Sequence, residues 1–178
     1  AIHINDTHPA LCVPELMRIL VDEEGLAWEQ AWAITVKVMS YTNHTIMAEA
    51  LEKWPVRMIE EVLPRMDQII KEIDRRFVET MQGVHPQALL DRTRIIIDDQ
   101  VHMAHLAIIG SHSVNGVAKL HSDLLKSVVL HDFYLIYPAR FNNKTNGIAQ
   151  RRWLQLANQP LAKVLDQSIG TSWRNDPL

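Results

Sequence analysis

The amino-acid pattern predicts an α/β fold, predominantly helical, with a few mostly parallel strands. Three observations carry this. Apolar residues recur at helical spacing over most of the chain. Short apolar segments alternate with those stretches, which favours parallel pairing over hairpins. Several of the short segments also end in a knot of polar residues, and the end of a strand is where an α/β protein displays its chemistry.

The opening, Ala1-Ile2-His3-Ile4-Asn5-Asp6-Thr7-His8-Pro9-Ala10, runs an apolar alternation into polar groups and a proline. It reads as a strand stopping at a polar loop, with a helix starting past Pro9. Residues 14–22 read as that helix, with Leu16, Ile19 and Leu20 on one side and Gly25 past its end. A second helix covers 28 to about 34, and 36–41 read as a strand delivering Thr42-Asn43-His44-Thr45 to a loop. Residues 46–53 read as a short helix stopped by Trp54-Pro55. The clearest helix follows Pro64. Met66, Ile69, Ile70, Ile73, Phe77 and Met81 recur at helical spacing, while Asp67, Lys71, Glu72, Asp74, Arg75 and Arg76 fill the other face. It ends near Gly83 and leads to a connector, 82–99, in which Ile95-Ile96-Ile97 forms a short strand. The apolar run 101–109 is expected to supply a further strand, ending near Gly110. Residues 116–129 read as helix, 141–147 as irregular, and 151–169 as helix interrupted at Asn158-Gln159-Pro160. A domain boundary is expected at the polar loop, between 1–141 and 142–178.

Composition excludes several classes. Hydrophobic content of 47% with 22% charged residues suits a globular core. A net charge of −3 and the lack of basic runs give no reason to expect nucleic acid or a membrane surface. No apolar run is long enough for a membrane span. The single cysteine, Cys12, rules out an internal disulfide, fits a reducing, cytoplasmic setting, and sits where a packed, inert thiol is expected. Asn5-Asp6-Thr7, Asn43-His44-Thr45 and Asn143-Lys144-Thr145 match the glycosylation sequon and read as coincidence. With no initiator Met and no lead-in before the first strand, the chain is expected to be a piece of a longer protein.

Polar clusters recur in one format: Asn5-Asp6-Thr7-His8, Thr42-Asn43-His44-Thr45, Asn143-Lys144-Thr145-Asn146-Gly147, and Gly110-Ser111-His112 with Asn115-Gly116. Asn, Asp and His offer donors and acceptors with modest charge, which suits hydroxyl-rich ligands. Each cluster alone also reads as caps and turns. Their repetition at the ends of apolar segments points to one shared polar cleft. The rival is a metal site at His102-Met103-Ala104-His105, followed by His112 and His121. No Cys pair, HExxH or suitably spaced carboxylate completes a ligand set, so packed or hydrogen-bonded histidines are expected. Gly110–Gly116 lacks the Lys-Ser/Thr of a phosphate loop, and neither Gly-x-Ser-x-Gly nor Gly-x-Gly-x-x-Gly occurs.

Longer blocks identify a resemblance. They are Asn5-Asp6-Thr7-His8-Pro9-Ala10-Leu11, Pro14-Glu15-Leu16-Met17-Arg18, Tyr41-Thr42-Asn43-His44-Thr45 and Glu49-Ala50-Leu51-Glu52-Lys53-Trp54-Pro55. Met103-Ala104-His105-Leu106, Gly110-Ser111-His112, Val114-Asn115-Gly116-Val117-Ala118, Lys144-Thr145-Asn146-Gly147-Ile148 and Arg151-Arg152-Trp153 follow. Together these resemble the glycogen, starch and maltodextrin phosphorylases, in family order from Ile2 to about Arg174. The resemblance implies a segment of a GT-B-like fold: 1–141 as the C-terminal part of the first domain, and 142–178 as the crossover into the cofactor-binding domain. It implies transfer of a terminal glucosyl unit from an α-1,4-glucan to inorganic phosphate. In that family the phosphate of pyridoxal phosphate donates and accepts the proton.

Matched by position, His44 resembles the histidine on the 6-hydroxyl of the transferred glucose, and Asn146 the asparagine holding the same sugar. Asp6 and His8 match residues near the adjoining glucan subsite, and Val117 matches a backbone contact beside the sugar. Nothing in the chain resembles the family's cofactor lysine, its phosphate-gripping arginine and lysines, or its catalytic glutamate. The segment is therefore expected to be inactive alone and to bind no pyridoxal phosphate. None of Lys37, Lys53, Lys71, Lys119 and Lys144 sits in the cofactor motif, and Lys71 is expected to be solvated with an ordinary pKa. The resemblance implies further partners: the remainder of the polypeptide, and a second copy in a homodimer.

Two departures stand out. The stretch before Met103 is shorter than in the family, where animal members build a glycogen storage site with it. Ala149-Gln150 stands where many members have Thr-Pro. A stand-alone carbohydrate-binding module and a purely structural fragment are the alternatives. The first lacks an aromatic platform, since aromatic residues are only 6% of the chain.

Overall fold

Residues Ile2–Asn5 form a strand (β1), with Ile4 wholly buried and the other three exposed, in the computed structural model, which describes residues 1–175. The chain forms two compact units, residues 1–145 and the residues from Asn146 onward. After β1 the backbone turns through Asp6, at φ 58° in the left-handed region. The Asp6 carboxylate accepts the Thr7 N–H at 2.8 Å, the kind of local bond that lets Asp adopt this conformation. Helix α1 (Cys12–Arg18) buries Val13, Pro14 and Met17 and continues as a π-helical turn, Ile19–Glu23. Gly25, at φ 67°, lies just beyond it.

Helix α2 (Trp28–Val38) is one turn longer than expected, so strand β2 (Met39–Thr42) starts at Met39 rather than Val36. Packing overrides the β-branched preference of Val36. The inner face of α2, Ala31 and Thr35, is wholly buried, and the Thr35 hydroxyl lies 3.3 Å from the Met17 sulfur. The helix expected over 46–53 is absent. Ala48–Ala50 makes one 3₁₀ turn and Lys53–Pro55 forms β3. Ile46 and Met47 are exposed there, so no buried face supports a helix.

Helices α3 (Val56–Val62), α4 (Pro64–Met81) and α5 (Gln87–Thr93) follow, and α3 and α5 are elements the sequence reading missed. Strand β4 (Ile96–Ile97) and β5 (Gln100–His102) form a hairpin through Asp98 and Asp99, both left-handed at φ 50° and 56°. The strand expected to end near Gly110 is instead α6 (Met103–Ile109), buried almost throughout, and β6 (Ser113–Gly116) comes after it. A short apolar run fits a buried helix as well as a buried strand, so periodicity alone did not separate them. Helix α7 (Lys119–Leu124) runs into a π-helical turn, Leu125–Val129, and α8 (His131–Ile136) follows. Phe141–Asn143, expected to be irregular, is β7.

Strands β1, β2, β6 and β7 form one four-stranded sheet in that order, every pair parallel. Ile4, Met39, Tyr41 and Val114 are its fully buried side chains. Strands β3, β5 and β4 form a small antiparallel sheet, with Pro55 on an edge strand as its missing N–H requires. The second unit holds α9 (Gln150–Ala157) and α10 (Gln159–Ile169). Asn158 separates them and caps α10, its Oδ1 accepting the Leu161 N–H at 3.2 Å. The start of α9 has no side-chain cap.

The charged face expected on α4 is not uniformly solvated. Asp67 and Asp74 are buried, at 4% and 2% exposure. Lys71 is not simply solvated: Asp67 lies 2.7 Å from its Nζ, and that bond raises the ammonium pKa above its ordinary value. Asp74 accepts the Ile95 N–H at 2.5 Å and the Ile96 N–H at 3.3 Å, and holds Arg94 Nη2 at 2.6 Å. One carboxylate thus ties α4 to the segment leading into β4. Behind it His105 donates from Nδ1 to the Arg94 carbonyl at 2.8 Å and meets the Phe133 ring edge-on at 4.9 Å. Burial is the main reason its pKa falls to about 4; the bond to the Arg94 carbonyl opposes it most, His102 and Lys53 push the same way as burial, and Asp132 weakly opposes.

Two outcomes follow. Asp74→Ala leaves the buried Ile95 N–H without a partner and should lower unfolding stability by about 1–3 kcal/mol, more than Asp74→Asn does, as read by urea denaturation. The half-exposed Arg94 charge adds little to that figure. His105 is neutral in the folded chain down to about pH 4, while the unfolded imidazole protonates from about 6.5. Between those values the unfolded state binds the extra proton, so stability falls as pH drops, by about 3 kcal/mol in all. Replacing His105 with Gln should remove this component from the pH profile.

Candidate functional site

Because β1, β2, β6 and β7 all run the same way, the loops leaving them start from one edge of the sheet. Asn5-Asp6-Thr7-His8 leaves β1, Asn43-His44-Thr45 leaves β2, Val117 leaves β6 and Lys144-Thr145 leaves β7. Asp6, His8, His44 and Val117 are therefore brought together on this carboxyl edge. Asn146 opens the second unit and is exposed there. The fourth cluster is divided: Asn115-Gly116 ends β6 at the carboxyl edge, but Gly110-Ser111-His112 precedes β6 at the opposite edge. His112 there donates from Nδ1 to the Met39 carbonyl at 2.6 Å, at the start of β2, which is a structural role.

Hydrogen bonds join the loops across strands. Thr42 Oγ1 donates to Asn115 Oδ1 at 2.8 Å and also bonds His3 Nε2. Wholly buried Asn43 accepts the Thr45 N–H at 2.9 Å, which shapes the turn carrying His44, and donates to the Tyr41 hydroxyl at 3.2 Å. Its Oδ1 also meets His121 Nε2 at 3.1 Å, while His121 Nδ1 accepts the Val117 N–H at 3.1 Å. These partners fix His121 as the neutral Nε2–H tautomer. Exposed His44 donates from Nε2 to Asn5 Oδ1 at 2.6 Å, leaving Nδ1 open as an acceptor. Thr7, wholly buried, donates its hydroxyl to the Glu52 carboxylate. At the end of β7, Asn143 accepts the Ser122 hydroxyl at 2.8 Å, and just beyond it the Lys144 N–H reaches the Gly116 carbonyl at 3.1 Å.

Gly116 is required by a close approach. A Cβ there would lie 2.6 Å from Ser122 Oγ and 3.0 Å from the Ser122 Cα on α7. Asn115 belongs to the fourth cluster already singled out, whereas Glu52 was missed and His121 was weighed only as a metal ligand. His121 carried the one usable signal, a histidine in the first turn of the helix after the Asn115-Gly116 block.

The His102/His105 pair is no ligand pair on one helix face: His102 ends β5, His105 lies in α6, and their rings sit 4.6 Å apart. Among the described residues no group of three or more His, Cys, Asp or Glu side chains is arranged to hold a metal ion. Likewise no described helix is long and apolar enough to cross a membrane.

Comparison with known proteins gives a concordant picture. The family described as carbohydrate phosphorylase matches residues 1–178. The chain is 55% identical over 179 residues to a glycogen phosphorylase of Bacillus subtilis (strain 168). It is 51% identical over 182 residues to the muscle form of glycogen phosphorylase from Ovis aries, and 50% identical to that from Homo sapiens. Each match covers 99% of this chain and 22% of the relative, so the chain spans about a fifth of the length of these curated proteins.

The network makes a prediction of its own. His121→Ala removes the acceptor of the Val117 N–H and a donor to Asn43. It should lower stability by about 1–3 kcal/mol and speed hydrogen exchange at the Val117 amide, while amides of α4 stay protected. Unchanged exchange at Val117 would contradict the assigned bond.

Proposed function

The chain belongs to the carbohydrate phosphorylase family, and from that membership we propose that it forms one wall of the glucosyl site of an α-glucan phosphorylase. The intact protein then transfers a terminal glucosyl unit from an α-1,4-glucan to inorganic phosphate, giving glucose 1-phosphate. It works as a cytoplasmic homodimer with pyridoxal phosphate. The observation that carries the reading is the gathering of Asp6, His8, His44 and Val117 at the carboxyl edge of one parallel sheet.

The chemistry suits sugar recognition. His44 offers an open ring nitrogen, Val117 a backbone group, and Asp6 a half-buried carboxylate, all for hydroxyl groups. Asn146, in the second unit, is an exposed amide with the same capacity to donate and accept. These groups bind and orient the sugar and stabilise it as charge develops, and none of them moves a proton in the transfer.

The residues present do not fit covalent attachment of pyridoxal phosphate. Lys71 and Lys119 each have a pKa raised by a neighbouring carboxylate, Asp67 and Asp123 respectively. Lys37, Lys53, Lys144 and Lys163 are exposed, Lys53 beside open hollows lined by Ala48, Leu51 and Glu52, and half-buried Lys126 lies over the Tyr134 ring. No step of the transfer is therefore assigned to a lysine of this chain.

In the full-length protein carrying this segment, His44→Ala should lower kcat/KM for maltoheptaose phosphorolysis by about 10- to 200-fold, the effect of one lost hydrogen bond of about 1–3 kcal/mol. Wild-type kinetics in a folded His44→Ala protein would remove the role given to His44.

A further inference from the structure

Away from the carboxyl edge, α2 and α4 enclose a cavity of about 330 Å³ with the turn that follows α8. Its walls include the rings of Trp28, Trp32, Phe77 and Tyr137, and Arg140 completes them. None of the loop residues assigned to sugar binding lines it.

Arg140 is unlike the other bonded arginines. Arg18, Arg65, Arg75, Arg92, Arg94 and Arg174 each turn the Nε/Nη2 edge of the guanidinium toward a carboxylate. Arg140 has no carboxylate partner among the described residues. It is anchored through Nη1 alone, to the carbonyls of Ile108 at 2.9 Å, Ile109 at 3.1 Å and Ser111 at 2.8 Å. Its plane lies over Tyr137 at 3.7 Å, which fixes its orientation. The Nε/Nη2 edge, the fork that grips a carboxylate through two parallel bonds, carries no bond to any of the described residues. That edge is not sealed off, because the only buried side-chain polar atom without a partner among the described residues is Ser111 Oγ.

Charge around the cavity is otherwise matched. Glu29 pairs with Arg76 at 2.7 Å, and Glu79 with Arg75 at 3.0 Å. Arg140 is left as the lining cation without an ion-pair partner among the described residues, partly desolvated beside aromatic rings. Burial lowers its pKa, which is the mark of a charge lacking its counter-ion.

We propose that this cavity binds a planar aromatic carboxylate, its ring between the tryptophan and tyrosine walls and its carboxylate on the open Nε/Nη2 edge of Arg140. The rings supply apolar contact that any flat aromatic satisfies, and Arg140 supplies the selection for the anion. The site is independent of the glucosyl reading, since it shares no residue with it.

Calorimetric titration with 2-naphthoate and with 2-naphthamide tests this, with tryptophan fluorescence as a second readout. The carboxylate should bind at least tenfold more tightly than the amide. Trp28→Leu should weaken both ligands by similar factors. Arg140→Gln should erase the preference, and Arg140→Lys, which keeps the charge and loses the fork, should reduce it. Circular dichroism checks that each variant is folded. If the glutamine variant fails to fold, the lysine variant and the two-ligand comparison on the unaltered protein remain decisive. Equal affinity for acid and amide, no saturable binding of either, or a preference that survives in Arg140→Gln overturns the proposal.

Discussion

Parallel pairing of four short strands is the constraint from which the site follows. A parallel strand cannot return through a tight turn, so the chain must cross back over the sheet between each pair. The crossings here are long and helical: α1 and α2 lie between β1 and β2, α3 to α6 between β2 and β6, and α7 and α8 between β6 and β7. One consequence is that residues as distant in sequence as Asp6, His44 and Val117 leave the sheet at the same edge. Another is that the antiparallel sheet and the buried helix α6 sit within a single crossing. They serve as packing that holds β2 and β6 in register rather than as part of the edge itself.

The carboxyl edge is rigid because its polar groups answer one another. Thr42 and Asn115 bridge β2 to β6 through side chains, and Asn43 and His121 bridge the loops that follow them. A buried amide such as that of Asn43 is tolerated only when its donors and acceptors are matched, and here the oxygen takes two bonds while the nitrogen gives one. The exposed groups, His44 and His8, stand on this matched foundation. Donors and acceptors at this edge are thus held in place within the fold itself, which is what favours recognition of a particular geometry.

Helix α6 shows the same economy at the opposite edge. Its last carbonyls, at Ile108 and Ile109, lie inside the protein past the regular helical bonds, where an unmatched carbonyl is costly; that of Ile108 takes a long bond from the Ser111 N–H at 3.3 Å. Arg140 answers them from the 3₁₀ turn that leads into β7, and a positive charge at a helix C-terminus is favourable in itself. Gly110 lets that end come close to α1, since a Cβ would lie 2.6 Å from a Val13 methyl carbon. The anchoring uses one nitrogen of the guanidinium, whose carbon lies 3.7 Å from the centre of the Tyr137 ring.

The sequence by itself determined the α/β class, β1, the long helix α4, the break at Asn158 and the family. It also determined which residue types stand ready for a hydroxyl-rich ligand. These are local properties: alternation, a strong period, a capping side chain, a contiguous block. Only the tertiary structure decided what the apolar run 103–109 becomes, because a buried helix and a buried strand are equally apolar and differ only in their neighbours. It likewise drew Asp67 and Asp74 inward from a face that reads as solvent, since the Lys71 ammonium and two backbone N–H groups in another segment compensate those carboxylates. It sent Gly110-Ser111-His112 to the edge opposite Asn115-Gly116, a choice fixed by strand direction that the two adjoining clusters do not reveal. It selected His121, whose partners lie four and 78 residues away and meet it only because β2 and β6 are paired.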